Sequence, residues 1–96
     1  MKVYWHRELP PLDAVALSEH VVEADSVRVP ATRTERELWD TCAEDLAKGV
    51  EMRLTQEAAR LGGRYAHVLD EHIDTKHDFT RDEAWLHGRY TYMLYR

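Results

Sequence analysis

Between Thr34 and Gly63 the chain carries one long helical repeat. Leu38, Cys42, Leu46, Val50, Leu54, Ala58 and Leu61 recur at steps of three or four, with Trp39 beside the first. That spacing places them on one stripe of an α-helix. Glu35, Glu37, Glu44, Glu51, Arg53, Gln56 and Arg60 take the solvent side. Thr34-Glu35-Arg36-Glu37 reads as a capping box, in which Thr34 accepts from the Glu37 N–H and Glu37 reaches back. Gly62-Gly63 ends the run, since glycine takes the left-handed conformation that follows a helix. Gly49 lies inside it, where a bend or a close approach of a sheet would account for a residue of low helix propensity. A helix of about 27 residues is about 40 Å long. In a chain of 96 residues such a helix needs a partner layer, because its apolar stripe cannot cover itself.

The remaining residues supply that layer. Lys2 to Glu8 alternates, with Val3 and Trp5 on one side and Tyr4 and His6 on the other, until Pro10-Pro11 ends it. Leu12 to Ser18 reads as a loop or a short helical turn. Glu19 to Val29 alternates again: Val21, Glu23, Asp25, Val27 and Val29 against His20, Val22, Ala24, Ser26 and Arg28, with a bulge expected near Asp25. Two further strands follow the helix, Arg64 to Ile73 and Ala84 to Tyr95, where aromatic and β-branched residues concentrate. The polar stretch from Asp74 to Glu83 reads as a long hairpin loop between them. The expected fold is α+β, a two-layer single domain over residues 1–96. One long helix packs on a mostly antiparallel sheet of three to four strands.

One helix covers one face of a sheet. The last strand has apolar residues on both: Leu86, Gly88, Tyr90, Tyr92 and Leu94 on one side, Trp85, His87, Arg89, Thr91, Met93 and Tyr95 on the other. In the strand before it, Tyr65, His67, Leu69, Glu71 and Ile73 alternate against Ala66, Val68, Asp70 and His72. The surplus at Trp85, Met93, Tyr95 and Leu69 predicts an interface, and the expected assembly is a homo-oligomer, a dimer. The competing expectation is that Val3 to Leu17 folds over that face.

Composition narrows the function. With 44% hydrophobic and 32% charged residues, the chain is too apolar for intrinsic disorder. No run reaches the ~20 apolar residues of a membrane-spanning helix, and no apolar core follows the first residues as in a secretory signal. Eighteen acids against thirteen bases, a net charge of −5, disfavour nucleic acid as a partner. The echo of a stacking platform in Tyr90 and Tyr92 is better read as core. Cys42 stands alone, so no intrachain disulfide forms, and a reducing cytoplasmic setting is expected. At helical spacing from Leu38 and Leu46, Cys42 reads as a core residue.

His67, Asp70, Glu71, His72, Asp74, His77 and Asp78 crowd into twelve positions, a donor set suited to divalent zinc, nickel, manganese or iron. Strand alternation puts His67 and Glu71 on one face, and His87 joins them if the register allows, so His67, Glu71 and His87 are the candidate metal ligands. The alternative is a hairpin of ordinary solvated polar residues. A histidine oriented by a carboxylate also suits a general base. No nucleophile elbow, phosphate-binding glycine loop or paired-cysteine zinc motif accompanies it, so no catalysis is evident and no resident cofactor is expected beyond that metal.

Ala58-Ala59-Arg60-Leu61-Gly62-Gly63, then Tyr65-Ala66-His67-Val68-Leu69, then Gly88-Arg89-Tyr90, resembles the small bacterial domains of the YbjQ and RcsF type across the second half of the chain. In those an alanine-rich helix ends in Leu-Gly, and an Ala-x-Val strand follows. Here two glycines replace one, His67 occupies the middle of that strand, and the cysteines of the RcsF type are absent except for Cys42, which sits elsewhere. The resemblance implies a small α+β fold, self-assembly and no established catalysis. The function expected from the sequence is a small interaction domain acting through self-association or a protein partner.

Overall fold

The computed structural model describes residues 2–96. Its elements run β1 (Lys2–Trp5), β2 (Ala16–Asp25), β3 (Val29–Pro30), α1 (Glu35–Leu61), β4 (Tyr65–Asp78) and β5 (Glu83–Tyr95). The strands form one sheet in the order β1-β4-β5-β2, with β3 also paired to β5. The α+β expectation holds, while the sheet is larger and more varied than expected: five strands, with β1 parallel to β4. The molecule is elongated, 49 × 24 × 17 Å, because the β4–β5 hairpin runs its whole length.

The helix forms where its capping signals lie. Thr34 holds an extended backbone and its Oγ1 accepts from the Glu37 N–H at 3.2 Å. Gly62 takes φ +78°, and Gly63 N–H donates to Ala58 O at 2.7 Å. Leu38, Cys42, Leu46, Val50, Leu54 and Ala58 are the buried residues of α1, a strict row of fourth residues. They pack on Val22, Ala24, Ala66, Val68, Leu86, Tyr90, Tyr92 and Leu94 of the sheet. Gly88 makes room for Tyr90, since a Cβ there would fall 2.5 Å from Tyr90 Cε2. Trp5 meets the Tyr90 ring edge-on, with centroids 6.1 Å apart.

Three departures from the expected strands have local causes. The run Glu19 to Val29 is broken after Asp25, because Val27 is drawn to the helix: its N–H donates to Asp45 Oδ2 at 2.6 Å and its carbonyl accepts from Cys42 Sγ at 3.4 Å. Ser26 fills the gap in the ladder, with its Oγ accepting from Leu86 N–H at 2.9 Å. After this detour Val29 is buried in the core rather than sharing the face of Val21. The irregularity in β2 lies at Leu17, between Ala16 and Ser18, rather than near Asp25. The expected ten-residue hairpin loop is short, because Asp74 to Asp78 continue β4 opposite His87 to Glu83. The remaining turn is tied by Asp78 Oδ1, which accepts from Thr80 and Arg81 N–H at 2.9 and 3.2 Å. Those bonds, led by that from Arg81, lower the Asp78 pKa.

Candidate functional site

The helix covers one face of the sheet, and the other is open. Cross-strand pairing defines what lines it. Tyr4 pairs with His67, His67 with Met93, and Met93 with Glu19; Tyr65 pairs with Tyr95. Thr91 lies between Asp70 and Val21, Arg89 between His72 and Glu23, and His87 between Asp74 and Asp25. Paired residues share a face, so the open face has two halves. One is aromatic and aliphatic, with Tyr4, Tyr65, Val21, Met93 and Tyr95. The other is charged, with carboxylates on the flanking strands β2 and β4 around His87 and Arg89 of the central β5. A hollow of about 300 Å³ lined by Asp70, His72, Arg89 and Thr91 lies between them.

The N-terminal segment meets this face at His67, which bonds His6 O, and leaves the other residues of the face at least partly exposed. Residues 2–5 join the sheet as an edge strand, and Leu9, Leu12 and Val15 are themselves exposed. Met93, Tyr95 and Trp85 are half-buried, and Leu69 and Val21 are 45% and 49% exposed. Trp85 has a cover of its own: the Arg28 guanidinium stacks 4.0 Å over its ring, held by Asp78 Oδ2 at 3.4 Å from Nη1.

The structure separates His67, Glu71 and His87. Leu69 is an extra residue in β4: Val68 pairs with Tyr92 and Asp70 with the adjacent Thr91. This bulge inverts the alternation that follows. His67 stays on the open face, whereas Glu71 pairs with Tyr90 on the helix side and bonds His6 Nε2 at 3.3 Å. The Glu71 charge, after burial, helps push the Tyr90 hydroxyl up to about 12. His67 and His87 share the open face, but their positions opposite Met93 and Asp74 are six residues apart along the hairpin, about 20 Å. His67 Nε2 is engaged with His6 O at 2.7 Å and its side chain is buried, so it clamps the turn leaving β1. Among the described residues no three His, Cys, Asp or Glu side chains gather as a metal ion requires.

His87 has instead gathered partners that sequence spacing did not reveal. Its Nδ1 lies 2.6 Å from Asp25 Oδ1 and its Nε2 lies 3.3 Å from Glu23 Oε1. A ring with a carboxylate at each nitrogen needs both protons to donate twice. The Asp25 hydrogen bond is the main cause of a raised His87 pKa, against a smaller opposing effect of burial, with Glu23 adding to the rise. Both contacts favour the imidazolium form, which serves better as a cation than as a general base. Arg89, its neighbour on the face, forms no ion pair among the described residues.

Set against known proteins, the chain matches no family model, no curated protein and no solved structure. Among the described residues no helix is long and apolar enough to cross a membrane. Cys42 is a free, fully buried thiol in the core.

Proposed function

We propose that this chain is a small interaction domain that works by pairing the open face of its sheet with that of a second copy. The observation that carries the reading is the aromatic half of that face, where Tyr4, Tyr65, Val21, Met93 and Tyr95 all stay at least partly exposed, while the turn after β1 engages His67 beside them. The area suits a dimer. Three or four strands at ~4.8 Å spacing over about eleven rows give roughly 600 Å² of flat surface. Side-chain relief raises that toward the ~800 Å² per partner of an ordinary stable complex. The charge pattern is self-complementary: a cationic central strand with Arg89 and His87 is flanked by Glu19, Glu23, Asp25, Asp70 and Asp74. Two sheets packed face to face cross at about 30°. Each central strand then reaches over its partner's acidic flank, where an unpaired Arg89 finds a carboxylate. A twofold axis near Met93 joins the aromatic halves. A free buried thiol accords with the reducing cytoplasm as the place of action.

Sedimentation velocity at micromolar concentration tests this. The native chain should sediment as a dimer. Met93→Lys, which sets a charge at the proposed axis, should sediment as a folded monomer. A native chain that stays monomeric, or a Met93→Lys dimer, would overturn the reading.

A further inference from the structure

Besides its open face the sheet has an open edge, β2, and the ladder with β5 settles which of its backbone groups are free. At one end Ser26 N–H donates to Leu86 O at 2.8 Å. At the other, Val15 and Arg96 exchange N–H···O bonds of 3.0 and 2.8 Å. Antiparallel ladders alternate between bonded and non-bonded pairs. Ser18, His20, Val22 and Ala24 therefore turn their N–H and C=O groups toward β5. Glu19, Val21, Glu23 and Asp25 turn theirs outward. No other part of the described chain bonds those outward groups.

An uncovered strand edge of this length is a template for another strand. The side chains beside it say which kind. Three of the four outward residues, Glu19, Glu23 and Asp25, are acids, and the fourth is the half-exposed Val21. Exposed aliphatic residues continue the line toward the start of the strand, at Leu17, Val15, Leu12 and Leu9.

A second copy of β2 is disfavoured in the registers that pair most of its length. Antiparallel pairing centred on Val21 sets Glu19 against Glu23, and pairing centred on Val22 sets Glu19 against Asp25, each twice by symmetry. Like charges directly opposite one another destabilise a sheet. We propose that the β2 edge binds an extended basic segment of a partner protein by strand addition. Lysine or arginine then stands beside Glu19, Glu23 and Asp25, and an aliphatic residue stands beside Val21. Backbone hydrogen bonds give the affinity, and the alternating acids select the sequence. The outward backbone groups of β2 lie at the edge rather than on the face, but Glu19, Glu23 and Asp25 belong to both surfaces, so strand addition and face pairing draw on the same carboxylates.

Fluorescence anisotropy with a labelled peptide of alternating lysine and valine tests the proposal. The peptide should bind the native chain and, equally, Tyr65→Lys, which charges the open face on β4 away from Glu19. The same peptide with glutamate for lysine should not bind. Methylation of every second peptide nitrogen, which leaves charge unchanged and blocks strand pairing, should abolish binding. Val21→Pro removes one outward N–H without touching the β5 ladder, a placement that edge strands tolerate; it should weaken binding about tenfold. Glu19→Lys, which leaves the backbone intact, should weaken it by a similar factor. The proposal is overturned if the native chain fails to bind the lysine–valine peptide, if the methylated peptide binds as well as the parent, or if Glu19→Lys changes nothing. Loss of binding in Tyr65→Lys would instead place the peptide on the open face.

Discussion

At the scale of the residue, His87 shows how a side chain acquires a role that its sequence neighbours do not announce. The local crowd of histidines and acids from His67 to Asp78 suggested partners for it. Its contacts, Asp25 and Glu23, come from a strand 62 and 64 positions away. Only the register of β2 on β5 brings them together, and register is a property of paired strands rather than of either one. Asp74 on β4 stands opposite His87 from the other side, and the cations Arg89, Arg28 and Lys76 share the face. The linkage has a definite sign. A histidine whose folded pKa lies above its unfolded value adds stability that is complete below about 6.5 and fades as pH rises through the folded value. The ring is partly exposed, so the contribution is about 1 kcal/mol or less. Urea unfolding across a pH series should find the native chain more stable than His87→Gln at mildly acidic pH. The two should converge as pH rises past the histidine range. A constant gap at every pH would mean that the ring contributes shape and not charge.

At the scale of the element, the helix was legible and the sheet only partly so. Thr34, Gly62 and the buried row were readable because capping and helical periodicity are local. The row itself carries geometry, since fourth residues follow a line inclined about 26° to the helix axis. Leu38 to Ala58 therefore cross the twisted sheet obliquely, which lets one helix serve β1, β2, β4 and β5 together. In the sheet, the two faces of β5 were readable from alternation. The bulge at Leu69 was not, because an extra aliphatic residue in an aliphatic strand leaves no mark, and yet it moves Glu71 to the other face. Asp74 to Asp78 were hidden differently: they are polar, and they are strand because β5 pairs with them. Of the capping box only the Thr34 half is formed among the described residues. Gly49 also departs from expectation. No close approach of the sheet requires it, since a Cβ there would meet nothing within 4 Å. Gly49→Ala should accordingly stabilise the fold by about 1 kcal/mol. A raised urea midpoint with an unchanged slope would confirm it, and a lowered one would show that the glycine serves a contact outside this chain.

At the scale of the whole molecule, the governing fact is a long sheet with one helix. The apolar surplus read from the last strand is smaller than it first looked, because Arg28 stacks on Trp85 and hides one end of it. What is left uncovered is the end around Met93, Tyr95, Leu69 and Val21, and that is where a second copy is proposed to sit. If it does, the partner acts as a ligand that binds the folded chain and not the unfolded one. Stability then rises with protein concentration. For two domains of this size unfolding together, each tenfold rise in concentration should lift the melting temperature by about 3 °C. Met93→Lys should melt lower than the native chain, and its melting temperature should not move with concentration. Reversible calorimetry over two decades of concentration separates these cases. A concentration-independent native melting temperature would mean that the open face is stable in water alone. The β2 edge would then be the surface through which this domain meets other proteins.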